Sequence, residues 1–322
     1  MGVGERKGLI KQIEERRGSR LLCCLTSDRD GAQGMISKDF LYRFFLHLRA
    51  MPNLERLDVL FFTLGGDTLA AYALSRLVRQ YAKTVGVLVP HMCLSGGTLF
   101  ALGADEIVMT RLGTLSAIDP SIQGPWNPEA NLQAQHLGQK TAPVGVESVA
   151  GFRKLVTEEW HLDEAGTSRA FGLLAEKVNP ILLGDLQRSK EQIVRLATSL
   201  MKMHMKAADS ERIKGAVETL ATGLGSHDYL IGAAEARDDV RLQVAKQNND
   251  LENLILSLYE DFAEEMELGT PFDPLEGLGQ QPISRILKIV MIESSDRSDV
   301  WERECAISPP GQMQIRRNHW RR

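Results

Sequence analysis

Two successive strand, glycine-pair, helix units constrain the fold of this chain more than any other feature. The apolar run 57–64 (LDVLFFTL) leads directly into Gly65-Gly66-Asp67 and then into a helical pattern over 68–81. A second apolar run, 84–90, passes through Met92-Cys93-Leu94-Ser95-Gly96-Gly97 into a helix expected over 98–103, and a third strand is expected at 106–110. Continuous apolar strands alternating with helices are the pattern of parallel βαβ units, whose strands are buried on both faces. The first half of the chain is therefore expected to be α/β.

The flanking segments extend this frame. A charged helix is expected over 5–17, ended by Gly18 and Ser19, and a buried strand over 21–26. A helix over 39–50 carries Phe40, Phe44, Phe45 and Leu48 on one face and stops at Pro52. From Asp185 the pattern turns to long helices, with Leu186, Ile193, Leu196, Leu200 and Met203 on one apolar face and Ile213, Val217 and Leu220 on the next. The face of Leu196, Leu200 and Met203 is expected to exceed what a monomer covers, which predicts a closed homo-oligomer. An acidic segment, 259–273, leads to a Pro/Gly-rich loop, strands are expected over 286–292 and 301–307, and the basic tail 316–322 is expected to be a solvated, disordered terminus. Three parts follow: a core over 1–185, a helical extension over 186–270 that serves oligomerisation, and a small terminal strand region with its tail over 271–322.

Charge and cysteine usage exclude several functions. A formal net charge of −4 argues against a chain built to wrap nucleic acid, because phosphate neutralisation needs a positive face. No window approaches the roughly 18 uninterrupted apolar residues of a membrane-spanning helix, and the polar, charged stretch 1–20 is no signal peptide, so a cytoplasmic location is expected. The four cysteines include the pair Cys23-Cys24 and no CxxC, which predicts neither a zinc site nor a disulfide framework. No cofactor is expected. Gly138-Gln139-Lys140-Thr141 lacks the Gly-Lys of a phosphate-binding loop, and His161-Leu162-Asp163-Glu164 lacks the second histidine of HExxH.

The chemistry is expected at the glycine turns. Glycine pairs after buried strands permit φ > 0 and bring backbone N–H groups into the open, although both turns also read as plain tight βα connections. Ser95 distinguishes the second: it falls on a sharp turn into a helix, where N–H groups of Gly66 and Gly96 can face a common point. A nucleophile flanked by preorganised donors is what acyl transfer requires, because negative charge develops on the carbonyl oxygen. The stretches FFTLGGDTLAAYALSRLVR, PHMCLSGGTLFALGADEIVMT and LSAIDPSI resemble the Clp-type serine peptidase superfamily of ClpP/crotonase fold, and within it the signal-peptide-peptidase-A-like branch of serine dehydrogenase proteinases. The resemblance runs most strongly over 17–122, with weaker phrases at 146–152, 178–189, 225–236 and 289–294. It implies stacked ββα units with added C-terminal helices, Ser95 as nucleophile, and an oxyanion hole at Gly66 and Gly96. It further implies Gly65 and Asp119 beside the substrate, and oligomerisation through helices beyond the core.

The stretch after the nucleophile departs from that family. Relatives usually read LGPIDPQ where this chain has Leu115-Ser116-Ala117-Ile118-Asp119-Pro120-Ser121, and Asp119-Pro120 stands about where ClpP peptidases carry their histidine. A Ser-Lys dyad is the substitute that the resemblance implies, with Lys140 and Lys154 as the candidates at suitable distance beyond Ser95. A lysine base must be neutral near pH 7, which requires burial or nearby positive charge, and a solvated surface position is the commoner fate of either. His227, in GSHDYLIG, needs no such tuning and is the alternative base, while His91 lies four residues before Ser95. Asp119 can orient a base, though Asp-Pro also starts ordinary turns. The expected function is a cytosolic serine peptidase acting on peptides or unfolded segments through an acyl-enzyme on Ser95. The alternatives are an inactive oligomeric scaffold and thioester chemistry of crotonase type.

Overall fold

In the computed structural model, which describes residues 3–51, 54–122, 127, 144–246, 248–309 and 311–322, the apolar runs form the middle of one sheet. The chain opens with helix α1 (Val3–Arg17), strand β1 (Arg20–Thr26), helix α2 (Phe40–Arg49), strand β2 (Leu54–Phe62), helix α3 (Thr68–Tyr81), strand β3 (Ala82–Val89), the short helix α4 (Gly96–Ala101) and strand β4 (Glu106–Met109). Strands β1 to β4 pair in parallel, as the βαβ pattern requires. Then come short strands β5 (Leu115–Ser116), β6 (Ser121–Ile122) and β7 (Val144–Gly145), and helices α5 (Val146–Lys154), α6 (Glu164–Lys177), α7 (Pro180–Met201) and α8 (Ser210–Glu218). Strand β8 (Leu230–Ile231), helices α9 (Ala233–Asp238) and α10 (Asn249–Met266), and strands β9 (Ile283–Ser294), β10 (Ser298–Ser308) and β11 (Gln312–Arg321) complete the chain. The seven-stranded sheet runs β11-β10-β9-β1-β2-β3-β4, with β9, β10 and β11 antiparallel to their neighbours. The expected α/β class holds.

Period-two alternation divides β2 between two cores. Val59 and Phe61 enter the larger one with Phe44 of α2, Leu74 of α3 and Leu200 of α7, whereas Leu60 and Phe62 join Ile10 and Ile13 of α1 and Ile255, Leu258 and Phe262 of α10. Helices thus cover both faces of the sheet, which is why its central strands read as unbroken apolar runs. Each such side chain contributes about 1.5–3 kcal/mol on full burial. The stop expected at Pro52 lies outside the described residues.

Two expectations are corrected. Leu196 and Leu200 are buried within the larger core and Met203 packs against it, so this face of α7 is covered by the chain itself and is not an assembly surface. Exposed apolar side chains gather elsewhere in sequence: Leu155, Trp160, Leu162, Leu173 and Ile181, around helix α6, which buries none of its residues. The basic tail is not disordered either. It forms β11, the sheet's edge strand, where its backbone groups find ladder partners in β10 and Trp320 packs edge-on to Trp301 and Phe40. Ladder hydrogen bonds and aromatic packing outweigh what local charge composition suggests.

An ion cluster around the buried Asp58 ties the end of α1 to β2 and β4. Asp58 of β2, fully buried, accepts from Arg17 (Nε 2.9 Å) and from the Ser19 hydroxyl (2.8 Å), and Arg17 also reaches Glu106 of β4 at 2.8 Å. Gly86 of β3, paired with Asp58 in the parallel register, leaves the space: a Cβ there would sit 2.0 Å from Asp58 Oδ1. Gly86→Ala is expected to displace the carboxylate and destabilise the fold by about 3–5 kcal/mol, the range for breaking a buried pair. A denaturant midpoint equal to that of the parent would contradict this role.

Candidate active site

Beyond β2 the chain turns through Thr63, Leu64, Gly65 and Gly66 before Asp67 caps helix α3, accepting from Leu69 N–H (2.9 Å) and Ala70 N–H (3.1 Å). Gly65 and Gly66 have φ of +119° and +140°, a region that residues with a Cβ rarely adopt. Space demands glycine as strongly as torsion does. A Cβ on Gly66 would meet Ile36 O at 2.4 Å, because the Ile36 strand segment lies against the turn, its N–H bonded to Gly65 O (2.8 Å) and its carbonyl to Asp67 N–H (2.9 Å). A Cβ on Gly65 would lie 2.8 Å from Ser95 Cβ.

Beyond β3 the second turn is zipped to the first: Thr63 N–H donates to Met92 O and Leu94 N–H to Thr63 O, both at 2.9 Å. Ser95 follows with φ 48° and ψ −109°, a strained conformation for a non-glycine residue, and helix α4 begins immediately at Gly96. The Ser95 N–H donates to the Ser116 hydroxyl at 2.8 Å, which itself donates to Ala117 O. Ser116 N–H reaches Thr98 Oγ1 (3.0 Å), and that hydroxyl donates to Cys93 O (2.8 Å). The strained turn is thus held from both sides. Ser116, which stands in the altered loop and is the next serine to suspect should Ser95 not react, is buried with its hydroxyl bonded to the Ser95 backbone, and so positions that turn. Its signal was the departure of Ser116-Ala117 from the family's Gly-Pro.

Strand β5 brings a distant segment to this turn. It pairs antiparallel with β8, Leu115 opposite Ile231 and Ser116 opposite Leu230, which brings the segment of His227 beside that of Asp119. His227 Nδ1 lies 2.8 Å from Asp119 Oδ1, with Asp119 buried and the imidazole partly exposed. Against a carboxylate Nδ1 donates, so the neutral ring presents its Nε2 lone pair. The Asp119 hydrogen bond raises the His227 pKa above its ordinary value; partial burial opposes the shift and the Asp119 charge reinforces it.

Ser95, Gly66, Asp119 and His227 line one cleft of about 590 Å³, closed on another side by Ser189, Gln192 and Ile193 of α7. Gly66 N and Gly96 are neighbours, a Cβ on Gly96 falling 3.3 Å from Gly66 N, and neither N–H donates a backbone hydrogen bond among the described residues. The Ser95 hydroxyl makes no hydrogen bond among those residues. Of the other candidates, Lys154 ends α5 with an exposed side chain and does not line the cleft, and Lys140 lies outside the described residues. His91 bonds through Nδ1 to the Tyr259 hydroxyl at 3.1 Å, and burial lowers its pKa. His204 bonds to Leu102 O, and His161 is exposed. Among the described residues no cluster of three or more His, Cys, Asp or Glu side chains is placed to hold a metal ion.

Residues 3–140 match the family model of ClpP-like SDH-type serine proteinases, a stretch that contains Gly66, Ser95 and Asp119 and ends before His227. The resemblance drawn from sequence is borne out there, and the ClpP/crotonase-like fold with it. Two uncharacterized proteins of Methanocaldococcus jannaschii are similar in sequence: one is 27% identical over 192 residues, 59% of this chain and 54% of its own length, and the other 24% identical over 245 residues, 73% and 70%. The chain thus spans about half the length of the first. Among solved structures, the 1510-N membrane-bound stomatin-specific protease aligns over 69% of this chain and 80% of its own at 16% identity and a TM-score of 0.41. ClpP1 from Listeria monocytogenes aligns over 75% and 97% at 13% identity and a TM-score of 0.37.

The hydrogen bond from Ser95 N–H gives the two serines separable roles. Ser116→Ala leaves a backbone donor unpaired, which costs about 1–3 kcal/mol, and is expected to lower the unfolding midpoint and slow fluorophosphonate labelling of the protein without abolishing it. Ser95→Ala is expected to abolish labelling with the fold intact. Mass spectrometry locating the label on Ser116 would reverse the assignment.

Proposed function

Because residues 3–140 carry the pattern of the ClpP-like SDH-type serine proteinases, we propose that this protein is a serine peptidase in which Ser95, His227 and Asp119 act together. The observation that carries the reading is the 2.8 Å contact of His227 Nδ1 with Asp119 Oδ1 at the cleft that Ser95 lines. Ser95 Oγ attacks the scissile carbonyl while His227 Nε2 takes its proton; Asp119 fixes the tautomer and stabilises the imidazolium. Gly66 and Gly96 N–H groups receive the oxyanion of the tetrahedral intermediate. Collapse expels the amine, protonated by His227, and leaves an acyl-enzyme on Ser95. Water activated by the same imidazole then releases the acid. The substrate is a peptide or an unfolded segment, since an extended chain fits an open cleft, and no cofactor takes part.

This reading replaces the Ser-Lys dyad with a histidine that needs only its carboxylate partner. A second reading, an inactive scaffold, is favoured by the Ser95 hydroxyl lacking a bond to His227, although such contacts are often loose before substrate binds. Among the described residues no helix is long and apolar enough to cross a membrane. The four cysteines are free and buried, which fits the reducing cytoplasm. The exposed apolar side chains around α6 favour a homo-oligomer assembled through that segment.

Two outcomes test these assignments. An imidazolium cannot accept a proton, so acylation is expected to rise with pH through a midpoint above 6.5, set by the raised His227 pKa, and then level off. His227→Gln should lower the rate by about 10²–10⁴-fold and Asp119→Asn should also move the midpoint to lower pH. Rates still climbing past about pH 9 and indifferent to His227→Gln would return the role to a lysine. In sedimentation the parent should exceed the 35.8 kDa of one chain, and Leu173→Glu with Ile181→Glu should shift it to that mass; a monomeric parent would remove the assembly proposal.

A further inference from the structure

A second cavity of about 480 Å³ adjoins the catalytic cleft, its walls formed by Phe40, Trp301 and Trp320 and its floor by Ile289 and Val290 of β9. Met35 lines both cavities, so a single stretch of backbone, held in place by the two bonds between Ile36 and the Gly65 turn, separates them. The Met35 side chain is 56% exposed on that divide. The aromatic wall is formed in advance. Trp320 Nε1 donates to Asp39 Oδ2 at 2.7 Å, its ring meets those of Trp301 and Phe40 edge-on at 5.4 and 5.9 Å, and the Arg43 guanidinium lies 5.0 Å from its centroid. An indole fixed this way loses little freedom when a ligand arrives.

We propose that this groove holds a bulky apolar side chain, aromatic or large aliphatic, belonging to the same polypeptide whose scissile bond lies against Ser95. The inference rests on the peptidase reading and adds a selectivity to it: the favoured substrate is an extended segment bearing such a residue several positions from the cut. Three features favour this occupant over a second copy of the chain. The groove adjoins the cleft across Met35, which lines both, its volume suits side chains and not a broad interface, and its lining is mostly apolar, with Asp39 and Arg303 at the polar part. The adaptable thioether of Met35 suits a boundary over which varied side chains pass.

The test uses internally quenched peptides of one alanine-rich scaffold, with phenylalanine scanned through each position on both sides of the cleaved bond. At one position distant from the bond, phenylalanine is expected to raise kcat/KM by about tenfold or more over alanine, mainly through KM. Trp320→Ala is expected to bring that ratio to near one, and Trp320→Phe to keep part of it. The ratio is insensitive to partial misfolding, which lowers both rates alike. A ratio near one at every distant position in the parent, or one unchanged in Trp320→Ala, overturns the groove assignment while leaving the peptidase reading in place. A parent that cleaves none of the peptides and fails to label at Ser95 overturns the peptidase reading, and this inference with it.

Discussion

Everything at the candidate site depends on how closely two turns approach each other. The Gly65-Gly66 turn after β2 and the Ser95-Gly96 turn after β3 are bonded through Thr63, Met92 and Leu94, and the Ser95 side chain occupies the space a Cβ on Gly65 would fill. The parallel register of β2 and β3 sets the two turns side by side. At Gly65 and Gly66 glycine is required by both φ and contact distance. The strain in Ser95 is held by bonds on either side, the Ser116 hydroxyl at its N–H and the Leu99 N–H at its carbonyl.

Asp119 and His227, the proposed acid-base pair, reach the cleft of Ser95 by a different route. Asp119 and His227 are 108 positions apart, and the pairing of β5 with β8 together with the bond from Ile118 N–H to Leu220 O brings their segments side by side. A slip of one residue would turn every side chain of that ribbon to the opposite face. Ser116 belongs to the same ribbon, so one short pairing both anchors the Ser95 backbone and positions the carboxylate that orients the imidazole. The hydrogen bond to buried Asp119, reinforced by that carboxylate's charge, is the basis of the raised His227 pKa.

The C-terminal residues are part of this same body. Strands β9, β10 and β11 extend the sheet from β1, and β11 carries Trp320 back over the start of α2, beside the segment that borders the cleft. Strand β11 thereby shapes a surface next to the cleft that Ser95 lines. The helices between β7 and β8 divide into two kinds: α7 is packed into the core by its apolar face, and α6 is left with apolar side chains toward solvent.

Much of the core was legible in the sequence because its determinants are local. Apolar runs of strand length, period-two division between faces, a helix at 68–81 recovered to the residue, and glycines where φ must be positive are all properties of a few consecutive residues. Ser95 was legible for the same reason, as a serine between a buried strand and a glycine pair. Tertiary structure alone decided that His227 and Asp119 stand at the cleft, what Ser116 bonds to, which apolar face of the helical region stays exposed, and that a basic tail becomes an edge strand. Each of these depends on pairing between residues far apart in the chain. Such pairing is fixed by register and by the free energy of packing two distant surfaces, and neither leaves a periodic mark on the sequence of either partner.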